Sequence, residues 1–146
     1  MWTMSERLRG VVGQLAIRPG DRVLEIGCGQ GVAAAMVCRL LTTGTLTAID
    51  RSVKMVEAAT RRNAEYVASG KAEFLIASLE DVNLGDRRFD LVFAVRVGLF
   101  HRDPGRAHSL VQPWLAPGGT CAVVLRRAGL GPVSRSVFAI AGPRSC

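Results

Sequence analysis

Val23-Leu24-Glu25-Ile26-Gly27-Cys28-Gly29-Gln30-Gly31 decides how the rest of the chain is read. Val23, Leu24 and Ile26 have the character of a buried strand, and residues 32–41 follow with that of a helix. The three glycines at alternate positions therefore fall on a strand-to-helix turn. In an open α/β sheet, that turn is where nucleotide-like ligands sit. Glycine lets the backbone approach a ligand with no Cβ between them. The free N–H groups at the start of the helix then face the ligand and favour negative charge. The spacing narrows the choice of ligand. A dinucleotide fingerprint, G-x-G-x-x-G, would need glycine at Val32, but here the third glycine comes one residue earlier.

Working outward, residues 5–17 read as a helix with Leu8, Val11, Val12 and Leu15 on one side. Pro19-Gly20-Asp21 is a turn into the first strand. A second strand spans 45–49 and ends at Asp50, and a helix follows over 53–69 with Met55, Val56 and Ala59 inward. A third strand spans 72–76, a loop 81–88, and a very apolar fourth strand 89–95. Residues 104–114 read as helical, Pro117-Gly118-Gly119 as a turn, and 120–125 as a fifth strand. Strands that are continuous apolar runs and alternate with helices predict an α/β fold: a three-layer, doubly wound, mostly parallel sheet.

The 146 residues suit one domain, 1–146. A hydrophobic content of 49% fits a well-buried core. No run approaches the roughly 18 apolar residues of a membrane span, so no membrane association is expected. The opening residues, Met1-Trp2-Thr3-Met4-Ser5-Glu6-Arg7, lack an apolar signal region. Cys28, Cys38, Cys121 and Cys146 form no C-x-x-C pair and show no zinc spacing. They read as reduced thiols of a cytoplasmic protein, with Cys28 a small filler in the turn. The net charge of +7 comes mostly from scattered arginine pairs, and aromatics make up only 5% of the chain. A solvated arginine-rich surface is therefore favoured over a nucleic-acid groove.

Asp50 closes the second strand about 20 residues after the glycines, where a carboxylate can accept both hydroxyls of a ribose. The alternative, a helix N-cap, suits Ser52 better. With Glu25 two residues ahead of Gly27, the turn resembles the first motif of class I S-adenosylmethionine (SAM)-dependent methyltransferases. Asp50, Phe89-Asp90-Leu91-Val92 and Leu115-Ala116-Pro117-Gly118-Gly119-Thr120 match further family motifs in the right order. The resemblance covers about residues 19–125. It implies SAM as cofactor and S-adenosylhomocysteine (SAH) as product; no metal cluster is apparent in the sequence, so no metal is expected. It places Glu25, Gly27, Cys28, Gly29, Gly31, Asp50, Arg51, Ser78, Leu79 and Val95 at the cofactor. Ser78 is a departure, because the family commonly has there an acidic residue for the adenine amine. A hydroxyl accepts that bond more weakly.

Residues after the fourth strand face the transferred methyl in the family, so His101 and Arg96 are the candidate catalytic residues. His101 could act as a general base if the acceptor must lose a proton. Arg96 could hold an anionic acceptor group, with a surface or capping role as its alternative. His108 reads as a surface residue. The chain carries neither the N/D-P-P-Y/F motif of nucleic-acid amino methyltransferases nor the Pro-Cys pair of cytosine C5 methylation.

In the family a helix follows the fifth strand, then an antiparallel hairpin. Here residues 128–135 resemble the lead-in to the sixth strand and 136–142 the last strand, so that helix is expected to be missing. Apolar surface left at that end of the sheet would favour a homodimer. One helix ahead of the first strand leaves little with which to build a substrate lid. The expected function is methyl transfer from SAM to a small-molecule acceptor. The rivals are a SAM-binding regulator or remnant without turnover, and an RNA or protein methyltransferase using the basic surface.

Overall fold

The structure is a computed structural model that describes residues 3–124 and the strand Val137–Ala141. The chain runs through helix α1 (Met4–Gln14), strand β1 (Arg22–Ile26), α2 (Val32–Leu40), β2 (Thr45–Asp50), α3 (Val53–Arg62) and α4 (Ala64–Ala68). It continues through β3 (Ala72–Ile76), β4 (Phe89–Val95), α5 (Gly98–Arg102), α6 (Pro104–Val111), a short 3₁₀ turn (Gln112–Trp114), β5 (Leu115–Val124) and β6 (Val137–Ala141). The sheet order is β3-β2-β1-β4-β5-β6. The first five strands are parallel, and β6 pairs antiparallel with β5, Thr120 standing opposite Ala141. The doubly wound sheet expected from the sequence is present. Residues 125–136 lie outside the described residues, and with them the expected sixth-strand lead-in and the place of the missing helix.

The two-residue period of the strands divides the core between the two faces of the sheet. Val23, Leu91, Phe93 and Ala122 pack on one face with Val12, Ala34, Val37 and Cys38 of α1 and α2. Leu24, Val92, Ala94, Cys121 and Val123 pack on the other with Leu99, Phe100, Ala107 and Val111 of α5 and α6. At about 25 cal/mol per Å² of apolar area removed from water, these two layers dominate the stabilisation.

Capping sets the helix ends. Thr3 and Glu6 form a reciprocal capping box on α1, with Thr3 Oγ1 accepting from the Glu6 N–H at 3.1 Å and the Thr3 N–H donating to Glu6 Oε2 at 2.6 Å. Asp103 caps α6 through the Arg106 N–H, and Pro104 follows at the first helical position.

Three local expectations change. The helix expected over 53–69 breaks at Asn63, which ends α3 and begins α4 with its side chain buried. The Pro117-Gly118-Gly119 turn is absorbed into β5, because Leu115 already pairs with Phe89 and a register shift follows before Leu91 pairs with Thr120. The helix expected over 104–114 ends at Val111 and tightens into the 3₁₀ turn that contains Pro113. On the outermost strand, β3, Glu73 pairs with Arg87 at 2.8 Å.

No helix among the described residues is long and apolar enough to cross a membrane.

A candidate cofactor and acceptor site at the switch point

The chain order reverses between β1 and β4, so the connections leaving these strands diverge and open a crevice at their carboxyl ends. The turn after β1 forms one lip. Gly27, Gly29 and Gly31 all have positive φ, at 73°, 53° and 80°. A non-glycine residue would be strained at each. The Ile49 carbonyl accepts from the Gly27 and Cys28 N–H groups, at 2.8 and 3.0 Å, and so ties the turn to the end of β2. A Cβ on Gly31 would stand 2.7 Å from Asn63 Nδ2 and 2.9 Å from the Ala59 Cβ, so glycine lets α2 and α3 approach. A Cβ on Gly29 would meet nothing within 4 Å.

Asp50 stands at the centre of this lip. Its Oδ2 accepts from the Gly29 N–H at 3.0 Å and its Oδ1 from the Ser52 N–H at 2.9 Å. Each carboxylate oxygen has two lone-pair sites, so both keep acceptor capacity for a ligand. The capping of α3 falls to Ser52, whose Oγ accepts from the Met55 N–H at 3.3 Å.

The cavity encloses about 310 Å³. Ile26, Ile49, Ala77, Leu79, Val97 and Leu99 give it apolar walls. Asp50, Arg51, Ser78, Glu80, Arg96 and Arg102 bring polar and charged groups to it, and Gly27, Val95 and Gly98 complete the lining. Ser78 sits in a turn closed by Asp81, whose Oδ1 accepts the Ser78 N–H at 2.8 Å. That backbone bond, with a side-chain bond from Ser78, holds the Asp81 carboxyl below the usual range. Across the cavity, Arg96 lies in the left-handed region at φ 56°. Its N–H donates to the Val124 carbonyl at 2.9 Å, and its Nη2 lies 2.9 Å from Met4 Sδ.

The cavity thus brings together Gly27, Asp50, Arg51, Ser78, Leu79, Val95 and Arg96 from the sequence-derived set. Cys28, Gly29 and Gly31 shape the lip without lining the cavity. His101 is exposed on α5 and is not part of the lining. Glu25 lies within β1, paired in register with Ala48 and Phe93, only 2% exposed and with no hydrogen-bond partner for Oε1. Burial, and secondarily the charge of Asp50, push its carboxyl up to about 8. The Cys28 thiol is pushed up to about 12, chiefly by burial, which agrees with a filler rather than a nucleophile.

Sequence reasoning missed the lining by Ala77, Glu80, Val97, Leu99 and Arg102. Leu99 and Arg102 lie on α5, five residues that begin with Gly98 and offer too short a run for a helical period, while Ala77 and Glu80 follow β3 and Val97 precedes α5. The signal that could have found Val97 and Leu99 is position, since they follow closely on the carboxyl end of β4, a switch-point strand.

A family model described as a methyltransferase domain matches residues 23–119, from the first strand to the turn before Thr120. The chain belongs to the methyltransferase domain family. A relative in the family, the 27-O-demethylrifamycin SV methyltransferase of Amycolatopsis mediterranei (strain S699), is 34% identical over 117 residues, covering 77% of this chain and 41% of its own length. The O-methyltransferase rstn1 of Aspergillus nomiae is 30% identical over 121 residues, covering 82% and 53%. Among solved structures, the [4+2]-cyclase SpnF superposes with a TM-score of 0.69 at 29% identity, over 85% of this chain and 47% of that one. The chain spans about half the length of the curated relatives it matches.

The residues at the cavity fit the nucleoside cofactor of class I methyltransferases. Asp50 has acceptors to spare for ribose hydroxyls. Gly29 leaves open the space that a side chain would fill. Ile49, Ala77 and Leu79 offer an apolar wall to a base.

Proposed function

We propose that this chain transfers a methyl group from SAM to a small-molecule acceptor. The observation that carries the reading is the juxtaposition, at the switch point, of an Asp50 with spare acceptors and a turn of three positive-φ glycines. Family membership and the small-molecule name of the rifamycin relative support it. When bound, SAM supplies a methyl group on a positively charged sulfur, an electrophile that needs no activation.

The protein's task is then to hold and align. Asp50 accepts the ribose hydroxyls, and Leu79 offers its backbone N–H to the base, with the Ser78 hydroxyl beside it. Val95, at the end of β4, lines the cavity and would pack against the cofactor's methyl-bearing end. Arg96 is positioned to hold an anionic group of the acceptor. His101 serves as base only for an acceptor that extends over the α5 rim. Alignment alone can supply roughly 7–11 kcal/mol of the barrier reduction.

The test is calorimetric titration with SAM and with SAH, on wild type, Asp50→Asn and Asp50→Ala. Because Asp50 also holds two backbone N–H groups, thermal melting is followed in parallel. Micromolar binding that both variants weaken by about tenfold or more, consistent with loss of a charged hydrogen bond, is the expected outcome. No binding of either ligand by the folded wild type overturns the reading.

A second reading, cofactor binding without methyl transfer, draws support from the similarity to a [4+2]-cyclase, since one fold hosts several chemistries. SAH release over a panel of hydroxylated, amino and carboxylated acceptors separates the two.

A further inference from the structure

A second concavity, of about 720 Å³, opens on the helical layer that carries α1 and α2, apart from the cofactor cavity. Its walls are α1, one face of α2 and the break between α3 and α4. Among the described residues four arginines line it, Arg9 from α1, Arg39 from α2, and Arg61 and Arg62 from the end of α3, against a single acid, Glu65. Among the described residues the side chains of Arg9, Arg39 and Arg61 make no hydrogen bond or ion pair, and the two salt bridges lie elsewhere, at Arg22–Asp90 and Arg87–Glu73. Like charges gathered in a concave wall focus a positive potential rather than dispersing it into solvent. Guanidinium groups match phosphate oxygens in geometry and charge.

The groove also shares a wall with the glycine turn. Arg62 Nε donates to the Gln30 carbonyl at 3.1 Å, and Asn63 Nδ2 donates to the Gly31 carbonyl at 3.1 Å and the Ala59 carbonyl at 2.9 Å. Asn63 is 1% exposed, and its Oδ1 is buried without a partner. Two residues of the groove thus grip the turn from behind, while Asp50 grips the same turn at Gly29 from the front.

We propose that this groove binds a phosphate-bearing polyanion through Arg9, Arg39, Arg61 and Arg62, and that occupancy is transmitted to the glycine turn through Arg62. The phosphates belong either to a free polyphosphate or nucleotide, or to the backbone of a single-stranded RNA. A guanidinium drawn toward an anion weakens its hold on the Gln30 carbonyl, so the anion loosens the turn. The inference does not depend on methyl transfer.

The experiment titrates the protein at low salt with tripolyphosphate, with a short oligouridylate and with an oligoglutamate of matched charge. It is repeated on the exposed double variant Arg39→Gln/Arg61→Gln, after its melting temperature has been checked. Saturable binding of a phosphate probe, weakened at least about tenfold in the double variant, is expected. Tighter binding of oligouridylate than of tripolyphosphate assigns the phosphates to RNA, and the reverse order assigns them to a free anion. Absence of phosphate binding, equal binding by the double variant, or preference for oligoglutamate overturns the proposal. Coupling is read by amide hydrogen exchange across the Gly27–Gly31 turn. Tripolyphosphate should speed exchange there in wild type and leave it unchanged in Arg62→Gln. Identical behaviour of the two proteins overturns the transmission step.

Discussion

At the amino ends of the strands, a Cβ on Gly119 would stand 2.7 Å from the Phe89 carbonyl oxygen, and one on Gly44 would overlap the Asp21 carbonyl oxygen. At the carboxyl ends, a Cβ on Gly29 would meet nothing within 4 Å. Gly44 and Gly119 let backbone pack against backbone, Gly27 and Gly31 let side chains approach the turn, and Gly29 alone of these keeps space open. The charges differ between the two ends. At the amino end Asp90 takes a forked grip from Arg22, at 3.1 and 3.2 Å, and also accepts the Arg22 N–H at 2.8 Å, all partly in solvent. Toward the carboxyl end Glu25 is buried with an unpartnered oxygen, and Gly27, Gly29, Gly31 and Arg96 all sit at positive φ. The charged pair at the amino end is satisfied. The carboxyl end holds a buried carboxylate oxygen without a partner and the left-handed Arg96, features of the kind that gather at functional sites.

Four substitutions break or sharpen this contrast. The largest effect is expected at the amino end. Gly44→Ala forces backbone against backbone and should lower stability by about 3 kcal/mol in urea unfolding. Any ligand affinity per folded molecule should be unchanged. A loss below about 1 kcal/mol would make the two ends equally tolerant, and the contrast would fail.

Glu25→Gln comes next and acts with a definite sign. The folded carboxyl titrates at about 8, against an ordinary value of 4.5. Between these pH values the folded chain keeps a proton that the unfolded chain has lost, so wild-type stability falls as pH rises through that window. Glutamine carries no such proton. The variant should show a flatter stability profile and be the more stable of the two at pH 8. Unfolding free energies at a series of pH values check this, and parallel profiles would mean that Glu25 is ionised in the fold.

Gly29→Ala should weaken SAH binding by more than about tenfold while lowering stability by only about 1 kcal/mol, the strain of one left-handed residue. Paired calorimetry and urea unfolding read both quantities. A stability loss as large as that of Gly44→Ala would show that Gly29 serves the fold. The smallest effect belongs to Asp90→Ala, because the side chains of the pair are 53% and 36% exposed. Less than about 1 kcal/mol is expected, shrinking further in high salt.

The first five strands were legible because each is a short apolar run closed by a turn residue, and Thr120–Val124 needed only the addition of its lead-in at Leu115. The glycine turn and Asp50 were legible because their geometry permits few residue types. The break at Asn63 was not. Arg61-Arg62-Asn63-Ala64-Glu65 holds no proline or glycine, and the break is held by bonds from Asn63 to Gly31 and Ala59. Only the tertiary fold brings Gly31 there. The groove of arginines shares that cause, since Arg9 and Arg39 are distant from Arg61 in the chain. The position of Glu25 was readable, but not the absence of a partner for its oxygen, which depends on what the neighbouring strands and α2 leave unfilled.

The Arg87–Glu73 pair on β3 has a consequence for behaviour at high concentration. Among the described residues β3 is the one parallel strand with an unpaired flank, and an open flank invites a strand of another chain to add to it. It is only five residues long, yet it contains Phe74, Leu75 and Ile76, the last 55% exposed. The half-exposed Glu73–Arg87 pair puts charge on this edge strand, and charge on an edge strand opposes the addition of another strand.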